Sequence, residues 1–164
     1  MVTEKVGSGG RASWVLLAYR LPREPSSPRI AVWRRLRRLG AAQLLDGLVA
    51  LPFDARNKEQ LEWAADQVIE AGGQASIWAG QVASRSDERG IVNSLAAAIA
   101  EEYRAVILEA ASVRGADDAV RRRILARLRR ELRRIRYRDY FPPPAVDEAR
   151  RAVDELASLV EANQ

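Results

Sequence analysis

A chain of 164 residues, 48% hydrophobic and 30% charged, can hold one domain with a real core or a small domain carrying extra helices. No stretch approaches the roughly 18 consecutive apolar residues that a membrane span needs, and the absence of cysteine and histidine excludes disulfides, thiolate or imidazole metal ligands, and catalysis by a Cys nucleophile or His base. Basic residues outnumber acidic ones 27 to 22, and because only Lys5 and Lys58 are lysines the excess is arginine. Arginine suits bidentate contacts to phosphate and guanine, although a GC-rich genome also supplies it without selection for function.

Residues 1–12 are polar and Gly/Ser-rich without an apolar signal core, which predicts a disordered lead on a cytoplasmic chain. Trp14 to Leu21 is nearly all apolar, the pattern of a central strand covered by helices. Pro22, Pro25 and Pro28 forbid its continuation, and Pro28 can open a helix where its missing N–H costs nothing. Ile30, Trp33, Leu36 and Leu39 recur at i+3 and are expected on the core face of that helix, which Gly40 ends. Two short apolar runs, Ala42 to Leu45 and Leu48 to Phe53, flank Asp46-Gly47, a hairpin signal of the type I′ kind. Asn57 then reads as a cap, Leu61, Ala64, Ala65, Val68 and Ile69 as a buried helix face, and Gln74 to Trp78, after Gly72-Gly73, as a fourth strand.

This order predicts an α+β domain over residues 13–82: a ferredoxin-like βαββαβ plait with an antiparallel four-stranded sheet and two helices on one face. Residues 83–164 read as a C-terminal bundle of about three helices packed on it. Ile91, Leu95, Ala98, Ile99, Tyr103, Val106, Ala110 and Val113 lie along one stripe, and Val120, Ile124, Leu125, Leu128, Leu132 and Ile135 form a second after Gly115-Ala116-Asp117. Val146, Ala149, Val153, Leu156 and Val160 follow a heptad-like spacing after Pro142-Pro143-Pro144.

Two arginine clusters stand out. The Val120 to Tyr137 helix sets Arg127, Arg129, Arg130, Arg133, Arg134 and Arg136 opposite its apolar arc, with Arg122 and Arg123 near its start and only Glu131 as an acid in its body. Like charges on one face repel, so the face is tolerated most easily if a polyanion or an acidic helix offsets it; a solvated face partly neutralised by Glu101, Glu102, Glu109, Asp147, Glu148 and Asp154 of the neighbouring helices is the internal alternative. The second cluster, Arg29, Arg34, Arg35, Arg37 and Arg38, contains no acid and suits phosphates, giving affinity without sequence choice; an ordinary solvated helix face is the plainer alternative. The candidate nucleic-acid contacts are therefore Arg29, Arg34, Arg35, Arg37, Arg38, Arg122, Arg123, Arg127, Arg130, Arg133 and Arg134. Trp14, Trp33, Trp63 and Trp78 fall at apolar-face positions and are expected in the core rather than stacked on bases.

No enzyme constellation stands out, and neither a catalytic residue nor a cofactor is expected. Gly7-Ser8-Gly9-Gly10 lacks the lysine, strand and helix of a phosphate loop. A plait-type metal nuclease would want an Asp near the end of the first strand, where Tyr19-Arg20-Leu21 stands instead, so a carboxylate-bound Mg²⁺ site is unsupported.

Several separated motifs resemble the N-terminal domain of the ChrB family. They are Tyr19-Arg20-Leu21-Pro22-Arg23-Glu24-Pro25, Trp33-Arg34-Arg35-Leu36 with Leu39-Gly40-Ala41, Gln60-Leu61-Glu62-Trp63 before Glu70-Ala71-Gly72-Gly73, and Arg138-Asp139-Tyr140-Phe141-Pro142. The Leu-Pro turn also looks like the C-terminal part of PaaX-type repressors. The resemblance implies a chromate-responsive regulator of a resistance operon whose arginines contact operator DNA, with a homodimer as a possible state. Long members continue into a second domain, so effector sensing is expected in a separate domain or protein. A non-catalytic module docking an acidic protein is the alternative, and a plait nuclease a weaker one.

Overall fold

The computed structural model describes residues 13–162, so the lead of residues 1–12 lies outside the described residues. The chain divides into two compact units between Val92 and Asn93. The first is built from β1 (Trp14–Arg20), α1 (Ser27–Leu39), β2 (Ala42–Leu45), β3 (Leu48–Pro52), α2 (Ala55–Glu70) and β4 (Gln74–Gly80).

The four strands form one antiparallel sheet in the order β2-β3-β1-β4. Strand alternation puts Val15, Leu17, Val49 and Leu51 on one face, each no more than 1% exposed, and α2 packs against β1 and β4 with Leu61, Ala64 and Val68 buried. The opposite face carries Leu16, Ala50 and Trp78 in register across β3, β1 and β4. Its Trp14 is buried, and the indole N–H donates to Glu88 at 3.1 Å.

The Asp46-Gly47 hairpin forms, but not as a type I′ turn. Gly47 has φ +77° while no residue other than glycine has positive φ among the described residues, so Asp46 stays on the ordinary side. The reason is tertiary. The Gly47 carbonyl accepts from the Tyr19 N–H at 2.7 Å, which pulls the turn onto the end of β1. A Cβ at Gly47 would lie 2.3 Å from the Tyr19 carbonyl oxygen.

Helix α2 is capped by Asp54, whose side chain accepts from the Asn57 N–H at 2.6 Å, rather than by Asn57. Asn57 is fully buried in the first turn and its amide donates to the Pro52 carbonyl at 2.8 Å, tying the helix start back to β3. On α1 the buried residues are Val32, Leu36 and Leu39, while Ile30 and Trp33 are exposed. Spacing of three precesses by about 60° per step on a 3.6-residue helix, so Ile30 and Leu39 fall on opposite sides, whereas Val32, Leu36 and Leu39 stay aligned. Ile69, Trp63 and Trp78 are likewise exposed, leaving Trp14 as the core tryptophan.

Helix α3 (Arg85–Ser112) begins in the first unit. In the second unit its later turns, α4 (Asp118–Tyr137) and α5 (Ala145–Glu161) contribute Tyr103, Val106, Leu128, Ile135, Val153 and Leu156, among others, to one buried cluster. Ala98, placed on the α3 stripe by spacing alone, is exposed. Asp117 caps α4 by accepting from the Val120 N–H at 3.2 Å. No helix among the described residues is long and apolar enough to cross a membrane.

Candidate nucleic-acid interface

The basic face of α1 follows from its buried one. Val32, Leu36 and Leu39 turn inward, so Arg34, Arg37 and Arg38 must turn to solvent, while Arg35 beside the buried stripe is only half-exposed. Arg29 is also exposed, but its guanidinium donates to the carbonyls of Pro22 (3.0 Å) and Arg23 (2.8 Å) and so closes the proline-rich turn that precedes the helix. The Arg37 guanidinium lies 5.2 Å from the centre of the Trp33 ring, a cation–π pair on the outer surface. Among the described residues no carboxylate forms an ion pair with Arg34, Arg35, Arg37 or Arg38. Arg37 and Arg38 in the last turn also oppose the helix dipole, worth about 0.3–1 kcal/mol each, a reason for charge there that does not extend to Arg34.

Helix α4 carries two different basic stripes. Arg127 pairs with Glu109, Arg134 with Glu131 at 3.3 Å, Arg121 with Asp118, and Arg138 at the cap with Glu102. The internal alternative thus holds for part of the face. Arg122, Arg129, Arg133 and Arg136 form no ion pair among the described residues, and at about 100° per residue they fall within an arc of about 60°. Arg123 and Arg130 lie on the paired side without an ion pair of their own among the described residues. Other acids that could have served the stripe are engaged elsewhere: Glu101 pairs with Arg104 and Asp147 with Arg150.

Of the sequence candidates, then, Arg34, Arg37, Arg38, Arg122, Arg123, Arg130 and Arg133 are exposed and not ion-paired, Arg127 and Arg134 are exposed but paired, Arg35 is half-buried, and Arg29 is engaged with backbone. Arg129 and Arg136 complete the acid-free stripe although they were not among those candidates; their i, i+4, i+7 relation to Arg133 and Arg122 was the available signal.

Just past the end of α4, Asp139 accepts a hydrogen bond from the Tyr103 hydroxyl of α3 at 2.9 Å. Burial, and then the bond to the Asp139 carboxylate, push the Tyr103 phenol well above its ordinary pKa. Tyr19 is also raised, by burial and by nearby Asp46. Neither group offers a base near neutral pH.

A family model described as "Protein ChrB, N-terminal" matches residues 29–118, more than half of the chain. The chain belongs to the ChrB N-terminal family. It is 28% identical over 142 residues to Protein ChrB of Cupriavidus metallidurans, an alignment that covers 84% of this chain and 43% of that relative, so the chain spans less than half of the relative's length. No solved structure matches significantly. The ChrB match begins at Arg29 and ends at Asp118, so it contains the α1 cluster and stops at the first residue of α4.

Proposed function

We propose that this ChrB-family chain is a DNA-binding regulator domain that takes part in chromate-responsive control of a resistance operon, with no catalytic activity of its own. The observation that carries the reading is the pair of basic faces without carboxylate partners among the described residues, Arg34, Arg37 and Arg38 on α1 and Arg122, Arg129, Arg133 and Arg136 on α4. Unpaired like charges on one helix face cost about 0.2–0.5 kcal/mol per neighbouring pair, which a phosphate backbone would offset. In this reading the order β2-β3-β1-β4 with two intervening helices is the ferredoxin-like plait, residues 13–82, and residues 83–164 supply a three-helix bundle. A homodimer suits an operator of two half-sites, and a separate domain or protein supplies the effector response. The chain acts on DNA in the cytoplasm.

The test is a gel-shift of the protein with the DNA upstream of its own coding region against random duplex of equal length. Preferential retardation of the upstream DNA supports a regulator. Equal retardation of both leaves a non-specific binder, and no retardation at low salt favours docking of an acidic protein on the same arginines.

A further inference from the structure

Three tryptophans of the first unit stand at least half in water, and their surroundings differ. Trp63 on α2 has Glu59, Asp66 and Glu70 at i−4, i+3 and i+7, so its rim is acidic. Trp78 sits on the sheet with its indole N–H donated to Ser76 at 2.8 Å. Trp33 alone stands within a basic helix face. Ile30, Trp33, Arg34 and Arg37 follow i, i+3, i+4, i+7 and share one outward arc, with Arg38 beside it and no acidic residue anywhere in α1. Ile30 is 45% and Trp33 51% exposed, and Arg37 is stacked on the indole.

We infer that Trp33, braced by Arg37 and flanked by Ile30, inserts against the bases of bound DNA and unstacks a step, while Arg34 and Arg38 hold the adjoining phosphates. The inference rests on the DNA-binding reading and specifies what α1 does within it. The occupant is fixed by chemistry. A flat apolar ring ringed by unpaired guanidiniums fits a ligand that is at once polyanionic and flat, which is a nucleic acid with an accessible base. A second copy laid on the same face would set Arg34, Arg37 and Arg38 against themselves. The cation–π contact holds the indole in place before binding, so less side-chain freedom is lost on insertion.

The experiment uses the full chain and a short duplex with 2-aminopurine at a central TA step, the kind of step that unstacks most easily. Unstacking brightens 2-aminopurine. The unaltered protein is expected to bind and to raise the emission. Trp33→Ala should weaken binding by about tenfold, as loss of one stacked base does, and abolish the rise, while leaving the dependence of affinity on salt unchanged. Trp33→Phe should retain much of the rise, and Trp63→Ala should behave as the unaltered protein. Circular dichroism checks that the variants fold. Binding by the unaltered protein without brightening overturns the inference whatever the variants do, as does full brightening by a folded Trp33→Ala. In both of these cases DNA binding itself survives. Absence of duplex binding at low salt would instead sink the DNA reading and this inference with it.

Discussion

Tyr103 has no exposed surface, and its hydroxyl donates to a carboxylate whose second oxygen, Oδ1 of Asp139, is buried without a hydrogen bond among the described residues. Tyr103→Phe would leave both oxygens of Asp139 short of donors, and we expect a loss of about 1–3 kcal/mol in urea unfolding. The same pair sets a pH dependence. The Tyr103 pKa is raised in the folded state, so the unfolded phenol ionises first, near its ordinary value of 10.0. The stabilisation is therefore complete below that pH and is lost as pH rises from there toward the folded pKa. Stability should fall more steeply above pH 10 in the unaltered protein than in Tyr103→Phe, as read from unfolding midpoints across the alkaline range. Gly47 is the other residue with a sharp expectation. Its positive φ and the approach of a Cβ to within 2.3 Å of the Tyr19 carbonyl make Gly47→Ala costly, more than about 1 kcal/mol. At Gly115 a Cβ meets nothing within 4 Å, and Gly115→Ala should stay within about 0.5 kcal/mol in the same unfolding assay.

Element by element, the strands, the position of the hairpin and both ends of α1 are legible because each has a local cause. Prolines stop β1 and open α1, Gly47 permits the turn, and Gly72, at φ +79°, turns the chain from α2 toward β4. Less legible was which side of a helix is inside. In α1 every third residue is apolar, so Ile30 and Trp33 compete with Val32 for the buried stripe, and only contact with α2 decides between them. The cap of α2 is ambiguous in sequence for a similar reason: Asp54 and Asn57 both suit the role, and Asn57 is drawn inward by the Pro52 carbonyl. On α4 the sequence reveals that the face is basic but not how it is divided, because Glu109 comes from another helix. That division is testable. Replacing Arg129, Arg133 and Arg136 with Gln preserves helix propensity and should flatten the salt dependence of DNA binding by close to 0.9 per lost phosphate contact. Replacing the ion-paired Arg127 and Arg134 should change it much less and lower thermal stability slightly instead, since exposed pairs are worth about 0.2–1 kcal/mol.

For the whole molecule, the proposed function requires that arginine–phosphate contacts dominate the affinity for DNA, with each cluster supplying its own share. The losses from replacing Arg34, Arg37 and Arg38 and from replacing Arg129, Arg133 and Arg136 are expected to add: a six-site variant should lose the sum of what each three-site variant loses. Such additivity is expected of charges that contact different phosphates without sharing a partner. A net charge of +5 by itself would give only weak and diffuse attraction to a polyanion, so a steep local dependence is the distinguishing mark of an organised face. The most direct measurement is the dissociation constant for a short duplex, followed by fluorescence anisotropy across a salt series, for the unaltered protein and these variants. With about six phosphates neutralised, log K against log salt should slope near −5, fall to roughly half that in each three-site variant, and approach zero in the six-site variant. No binding at low salt, or a slope that survives loss of both clusters, would contradict the claim.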